Sequence, residues 1–94
     1  MMSFDLGQLV ATRQVDADMK VNPQFHNDII KALYRYMSCD FSYMKNQEDI
    51  QMNIDAIKNG NDRIFGVYPT VLGDIWIITE WDRSATTILY PSEY

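Results

Sequence analysis

Ile75-Trp76-Ile77-Ile78-Thr79-Glu80-Trp81 carries the strongest strand pattern in the chain. It is dense in β-branched and aromatic residues, which suit a pleated, packed surface. Alternation places Ile75, Ile77, Thr79 and Trp81 on one face and Trp76, Ile78 and Glu80 on the other. Upstream, Arg63 to Tyr68 reads as a second strand, joined to the first through a turn that contains Gly73-Asp74. Downstream, Asp82-Arg83-Ser84 reads as a short turn and Thr86 to Tyr90 as a third strand, ended by Pro91. Connections this short predict an antiparallel meander.

Working outward, Leu6 to Arg13 alternates and reads as a further strand, and residues 14–22 read as a loop carrying Asp16, Asp18 and Asn22. Asn22-Pro23 is a helix start, with Asn as the cap and Pro at the first helical position. From Pro23 to Ser38, Phe25, Ile29, Leu33 and Tyr36/Met37 form one apolar face, which Ile30 and Tyr34 widen. A second helix is expected from Asn46 to Asn59. It has Glu48 and Asp49 in the first turn, an Ile50/Ile54/Ile57 stripe, and Gly60 as the left-handed stop. The predicted fold is a single α+β domain over residues 1–94, of order β-α-α-β-β-β. It has two layers, an antiparallel meander sheet with two helices packed on one face.

Composition narrows the function. The 94 residues are 47% hydrophobic and 22% charged, an ordinary globular balance. No apolar run approaches the roughly 20 residues of a membrane helix, and Met1-Met2-Ser3-Phe4-Asp5 has no basic n-region of a secretory signal. A cytoplasmic location is expected. Thirteen acids against eight bases give a net charge of −5, and the bases are scattered singly. Direct nucleic-acid or anionic-membrane binding is therefore disfavoured, and a protein partner with a basic surface fits better. One cysteine, Cys39, excludes an intramolecular disulfide, and a single His26 argues against a His/Cys zinc site. No cofactor is expected: the four glycines are isolated, and no phosphate-binding loop or EF-hand spacing occurs.

The C-terminal third carries a resemblance. Ile75 to Ser84, then Thr86-Thr87-Ile88-Leu89, Pro91 and Glu93-Tyr94, resembles the ending of a family of short, uncharacterised bacterial proteins of plasmids, phages and integrated elements. The resemblance extends to Gly7-Gln8, Ala11-Thr12-Arg13, Asn53, Arg63 and Tyr68. Between its helices that family has Arg-His followed by Gly-Asp-Trp-Gly. This chain has Arg35-Tyr36 and then Cys39-Asp40-Phe41-Ser42, keeping only Arg35 and Asp40. The resemblance implies a mobile-element origin rather than a mechanism.

Candidate chemistry is sparse. Glu80, Asp82 and Arg83 form the most concentrated charged cluster. Two nearby carboxylates can divide acid and base roles, whereas a hairpin corner would have Asp82 accept backbone N–H groups, Ser84 cap the turn and Arg83 point outward. His26 and Cys39 lie about 20 Å apart along one helix and cannot form a thiol–imidazole pair there. The segment from Tyr34 to Met44 is rich in Tyr, Met and Phe, residues enriched at interfaces. Between Asp40 and Asp62, five acids face two lysines, a local net of −3. The expected partner-binding site is therefore Asp40, Glu48, Asp49 and Asp55 with the aromatics Tyr36, Phe41 and Tyr43. Glu80, Asp82 and Arg83 form a second candidate site.

These features, with the resemblance, lead to an expected function: a small acidic mobile-element protein that inhibits a host nucleic-acid-targeting defence system by contact, in the anti-CRISPR or anti-restriction manner. A small enzyme or ligand-binding domain using the Glu80–Arg83 corner with Arg35, and a regulatory homo-oligomer, are the alternatives.

Overall fold

The computed structural model describes residues 3–94, so Met1 and Met2, the start of the stretch tested for a signal, lie outside the described residues. The elements run β1 (Gln8–Ala11), α1 (Arg13–Val21), α2 (Pro23–Met37), α3 (Gln47–Asn59), β2 (Ile64–Tyr68), β3 (Ile75–Thr79) and β4 (Ala85–Leu89), closed by a 3-10 turn at Pro91–Glu93. The chain is α+β, and β2, β3 and β4 form the expected antiparallel meander. β1 pairs with β4 in parallel, so the sheet is mixed, in the order β1-β4-β3-β2.

Residues 14–22 are a correction: they contain a helix, not a loop. Thr12, expected inside the first strand, instead caps α1 by accepting from the Val15 N–H. The i,i+4 pairs Gln14–Asp18 and Lys20–Asp16 then line its exposed side. That cap cuts the first strand short. Asn22 serves twice: its N–H closes α1 on the Asp18 carbonyl, and its side chain caps α2 at the Phe25 N–H.

α2 buries Phe25, Ile29, Ala32 and Tyr36, leaving Leu33 half-buried and Met37 exposed. With Val15 of α1 they meet Ile64, Tyr68, Ile75, Ile77 and Ile88 in one core. In α3 the three isoleucines are half-buried, while Asn53 and Ala56 are its buried residues. Trp81, expected on the core face of β3, lies beyond the end of the strand and is 63% exposed.

Asn53 explains how α3 docks. Its Nδ2 donates to the Phe65 carbonyl at 2.6 Å and its Oδ1 accepts from the Phe65 N–H at 3.1 Å. These are the backbone groups that β2 turns away from β3. The side-chain amide thus replaces a neighbouring strand at that point and closes an open sheet edge.

Candidate functional site

The Glu80–Arg83 corner is a tight turn. The Arg83 N–H bonds the Glu80 carbonyl, and the Ser84 N–H donates to Asp82 Oδ1 at 3.0 Å. Hydrogen bonding from the Ser84 side chain, and then from the Ser84 N–H, holds the Asp82 carboxyl below its usual range. Asp82 and Ser84 thus follow the hairpin reading. Arg83 does not point outward. At φ +61° it folds back, and its guanidinium donates to four backbone carbonyls: Ala56 of α3, Asp62, Glu80 and Trp81. The cation is spent on tying the hairpin to the C-terminal end of α3. Gly7 completes the corner at φ +64°; a Cβ there would collide with the Arg83 and Ser84 backbone.

The α2–α3 connection is built in the same manner. Arg35 Nε donates to Asp40 Oδ2 at 3.0 Å, and its guanidinium lies 5.3 Å from the centre of the Tyr68 ring. Asp40 Oδ1 accepts from both the N–H and the hydroxyl of Ser42, and its carbonyl accepts from the Tyr68 hydroxyl. The Ser42 bonds, then Arg35, hold the Asp40 carboxyl below the usual carboxylate range. Two of the expected contact aromatics are corrected here: Tyr36 and Phe41 are buried core residues with ring centroids 6.2 Å apart, although Phe41 also lines, with Asp40, Ser42, Gln47 and Ile50, a groove of about 400 Å³.

Tyr36 anchors a buried chain of hydroxyls. Its OH lies 2.6 Å from Thr79 Oγ1, which lies 2.7 Å from Thr86 Oγ1, which donates to the Leu6 carbonyl at 2.7 Å. Each hydroxyl has one proton, and Thr86 commits its own to Leu6. Thr79 then donates to Thr86, and Tyr36 donates to Thr79. The 3.1 Å contact from Tyr36 to the Ile64 carbonyl is left as the weakest of the set. Burial pushes the Tyr36 phenol far above its ordinary value. The chain is a polar seam across the core, without access for a substrate.

Two surfaces among the described residues carry clustered apolar side chains. The first is the outer face of the sheet. The helices and the inward strand residues share one core, and the other strand residues face away from it. That face carries Gln8 and Val10 of β1, Phe65 and Val67 of β2, Trp76 and Ile78 of β3, and Ala85, Thr87 and Leu89 of β4. None is charged. Ile78 and Leu89 are buried on this face, Phe65, Val67, Trp76, Ala85 and Thr87 are half-buried, and Gln8 and Val10 are exposed, whereas a solvated sheet face normally alternates to polar residues. Phe65 and Val67 continue into a groove of about 350 Å³ shared with Tyr43, Met44, Lys45, Asn46, Asp49 and Asp74. Tyr43 donates to Asp74 Oδ1 at 2.8 Å, a carboxylate that raises its phenol pKa. Two expected residues, Tyr43 and Asp49, thus edge this face. Glu48 and Asp55 are exposed on α3, Asp55 holding Gln51.

The second surface is a stripe on α2, where Ile30, Leu33, Tyr34 and Met37 edge a hollow of about 240 Å³. Tyr34 is 70% exposed. The same apolar excess that widened the predicted α2 face could have marked this stripe.

No group of three or more metal-ligating side chains occurs among the described residues, and none of the described helices is long and apolar enough to cross a membrane. Comparison with family models, curated proteins and solved structures finds no match to this chain.

Proposed function

We propose that the chain is a non-enzymatic binding protein that inhibits a nucleic-acid-handling host protein by specific contact in the cytoplasm. The observation that carries the binding reading is the run of apolar strand residues on the outer face of the sheet, edged by Tyr43, Asp49 and Asp74 and by the cations Lys45 and Arg63. Aromatic side chains at a patch centre with polar groups at its rim are the usual anatomy of a contact site. A net charge of −5 favours a basic partner.

The residues of the mobile-element resemblance bear on the same point. Gly7 packs under the hairpin, Thr12 caps α1, Asn53 closes the sheet edge and Arg83 clamps α3. Cys39 stands where that family has glycine, and its φ of +61° is a glycine conformation. Phe41, where the family has tryptophan, is a core ring. A pattern spent on holding the fold supports a binding role over catalysis. The test is capture from a host lysate followed by a nuclease assay with the captured protein. The parent should capture and inhibit a nucleic-acid-handling enzyme, and Trp76→Ala should do neither. Undiminished capture and inhibition by Trp76→Ala would place the site elsewhere.

A second reading, a homo-oligomer, is favoured by the α2 stripe, which is self-complementary for an antiparallel pair of helices. A mass that rises with concentration, and that Tyr34→Glu returns to the monomer value, is its signature.

A further inference from the structure

We propose that the outer sheet face contains a slot for an aromatic side chain of the partner, and that the chain's own Tyr94 is its resident occupant. The inference rests on the outer face being the contact surface. Tyr94 sits with its ring edge-on to Trp76, centroids 5.2 Å apart, and the Arg63 guanidinium lies 5.6 Å from the ring centre. Arg63 Nη1 also donates to the Tyr94 hydroxyl. Yet Tyr94 is 64% exposed. Its position is set by these directional contacts, a cation over a ring and a ring edge on an indole, rather than by burial.

The slot is not full. Arg63, Phe65, Trp76 and Ile78 enclose with Tyr94 a remaining cavity of about 120 Å³. An apolar cavity of about 150 Å³ takes up benzene, and moving Tyr94 aside enlarges this one. The 3-10 turn also has a built-in anchor one residue before Tyr94. Glu93 Oε1 accepts from the Tyr90 N–H and from the Thr12 hydroxyl, pinning the 3-10 turn to the start of α1. Tyr94 can therefore swing out by rotating its own bonds while the turn stays in place. The ligand chemistry is read from the occupant: a planar ring for Trp76 and Arg63, with a hydroxyl to accept from Arg63. A tyrosine side chain of the partner meets both demands.

The experiment uses the 94-residue chain and p-cresol, the side chain of tyrosine, as probe. Tyr94→Ala removes an exposed ring and leaves the core untouched. In that variant p-cresol should shift the Trp76 indole N–H resonance saturably. In the parent, binding should be about tenfold weaker, because a tethered Tyr94 competes at millimolar effective concentration. Adding Arg63→Ala to Tyr94→Ala should weaken the probe again. No saturable shift in Tyr94→Ala, or equal affinity in the parent, overturns the proposal. If Trp76→Ala abolishes partner capture while Tyr94→Ala binds no p-cresol, the contact surface stands and the aromatic slot falls.

Discussion

At the scale of single residues, Tyr36 shows how one side chain decides the packing of a helix. α2 has two apolar stripes, and the one that turns inward ends in a ring lying over Gly66. A Cβ at Gly66 would stand 2.9 Å from Tyr36 Cδ1 and 2.6 Å from Tyr68 Cε2, so only glycine leaves room. That fit joins α2 to β2 across 30 positions of sequence. Periodicity therefore reveals a wide apolar face on α2 but cannot say that Tyr36 is core and Tyr34 surface. Tyr36→Phe keeps the ring and removes the donor to Thr79. It should cost about 1–2 kcal/mol in denaturant unfolding, and Gly66→Ala should cost more, because two rings must move. Equal, negligible losses would mean that the hydroxyl chain and the glycine notch are unimportant. Asp40 gives a pH effect of defined sign. Its pKa is lowered on folding from an ordinary 3.8. Its stabilising contribution is therefore present above that value and lost as pH falls through the lower folded value. Asp40→Asn should be less stable than the parent at neutral pH, with the gap closing toward pH 2, as thermal melts across an acid series would record.

At the scale of elements, the strongly patterned segments were legible in the sequence. The cap Asn22-Pro23, the stop at Gly60 and the alternation of Ile75 to Thr79 each state a local rule that the structure obeys. α1 was not legible, because nine residues supply Val15 and Met19 as its inward apolar groups and the rest are mostly polar. Its stability comes from Thr12, from i,i+4 pairs and from packing on α2, and aspartates in a short polar stretch look the same in a loop. The placement of α3 was equally hidden, since it depends on two polar side chains that find backbone partners far away. Asn53→Asp changes one atom but sets a carboxylate oxygen against the Phe65 carbonyl. It should cost about 2–3 kcal/mol, the loss of a buried hydrogen bond plus an unpaired buried group. Arg83→Lys keeps the charge but cannot span four carbonyls, and should recover less than half of what Arg83→Ala loses. Full recovery by lysine would show that charge alone, not the fork of donors, holds the hairpin to α3.

At the scale of the whole molecule, the sheet separates two surfaces of different character. The helical side has its core sealed and carries the α2 stripe, whereas the outer side offers aromatics edged by Asp49 and Asp74 and by the cations Lys45 and Arg63. The sequence identified the acids Asp40, Glu48, Asp49 and Asp55 with the aromatics Tyr36, Phe41 and Tyr43 as a contact region, but folding divides them. Asp40 is consumed by Arg35 and Ser42, and Tyr36 and Phe41 enter the core. Tyr43 and Asp49 reach the groove beside Phe65 and Val67, with Glu48 and Asp55 further out on α3. If aromatics anchor the partner and acids steer it, the two groups must act on different rate constants. Reversing Glu48 and Asp49 to lysine would confound the test, because cations in the first turn of α3 oppose the helix dipole. Glu48→Gln with Asp49→Asn removes the charges without that penalty. This pair should slow association several-fold at low salt and lose its effect as ionic strength shortens the screening length to about 8 Å. Tyr43→Ala should instead speed dissociation and keep the parent's salt dependence. Both rates are read by surface-immobilised binding to the captured partner. A salt-independent association rate in the parent would remove the acids from the mechanism and leave the apolar face of the sheet to account for recognition alone.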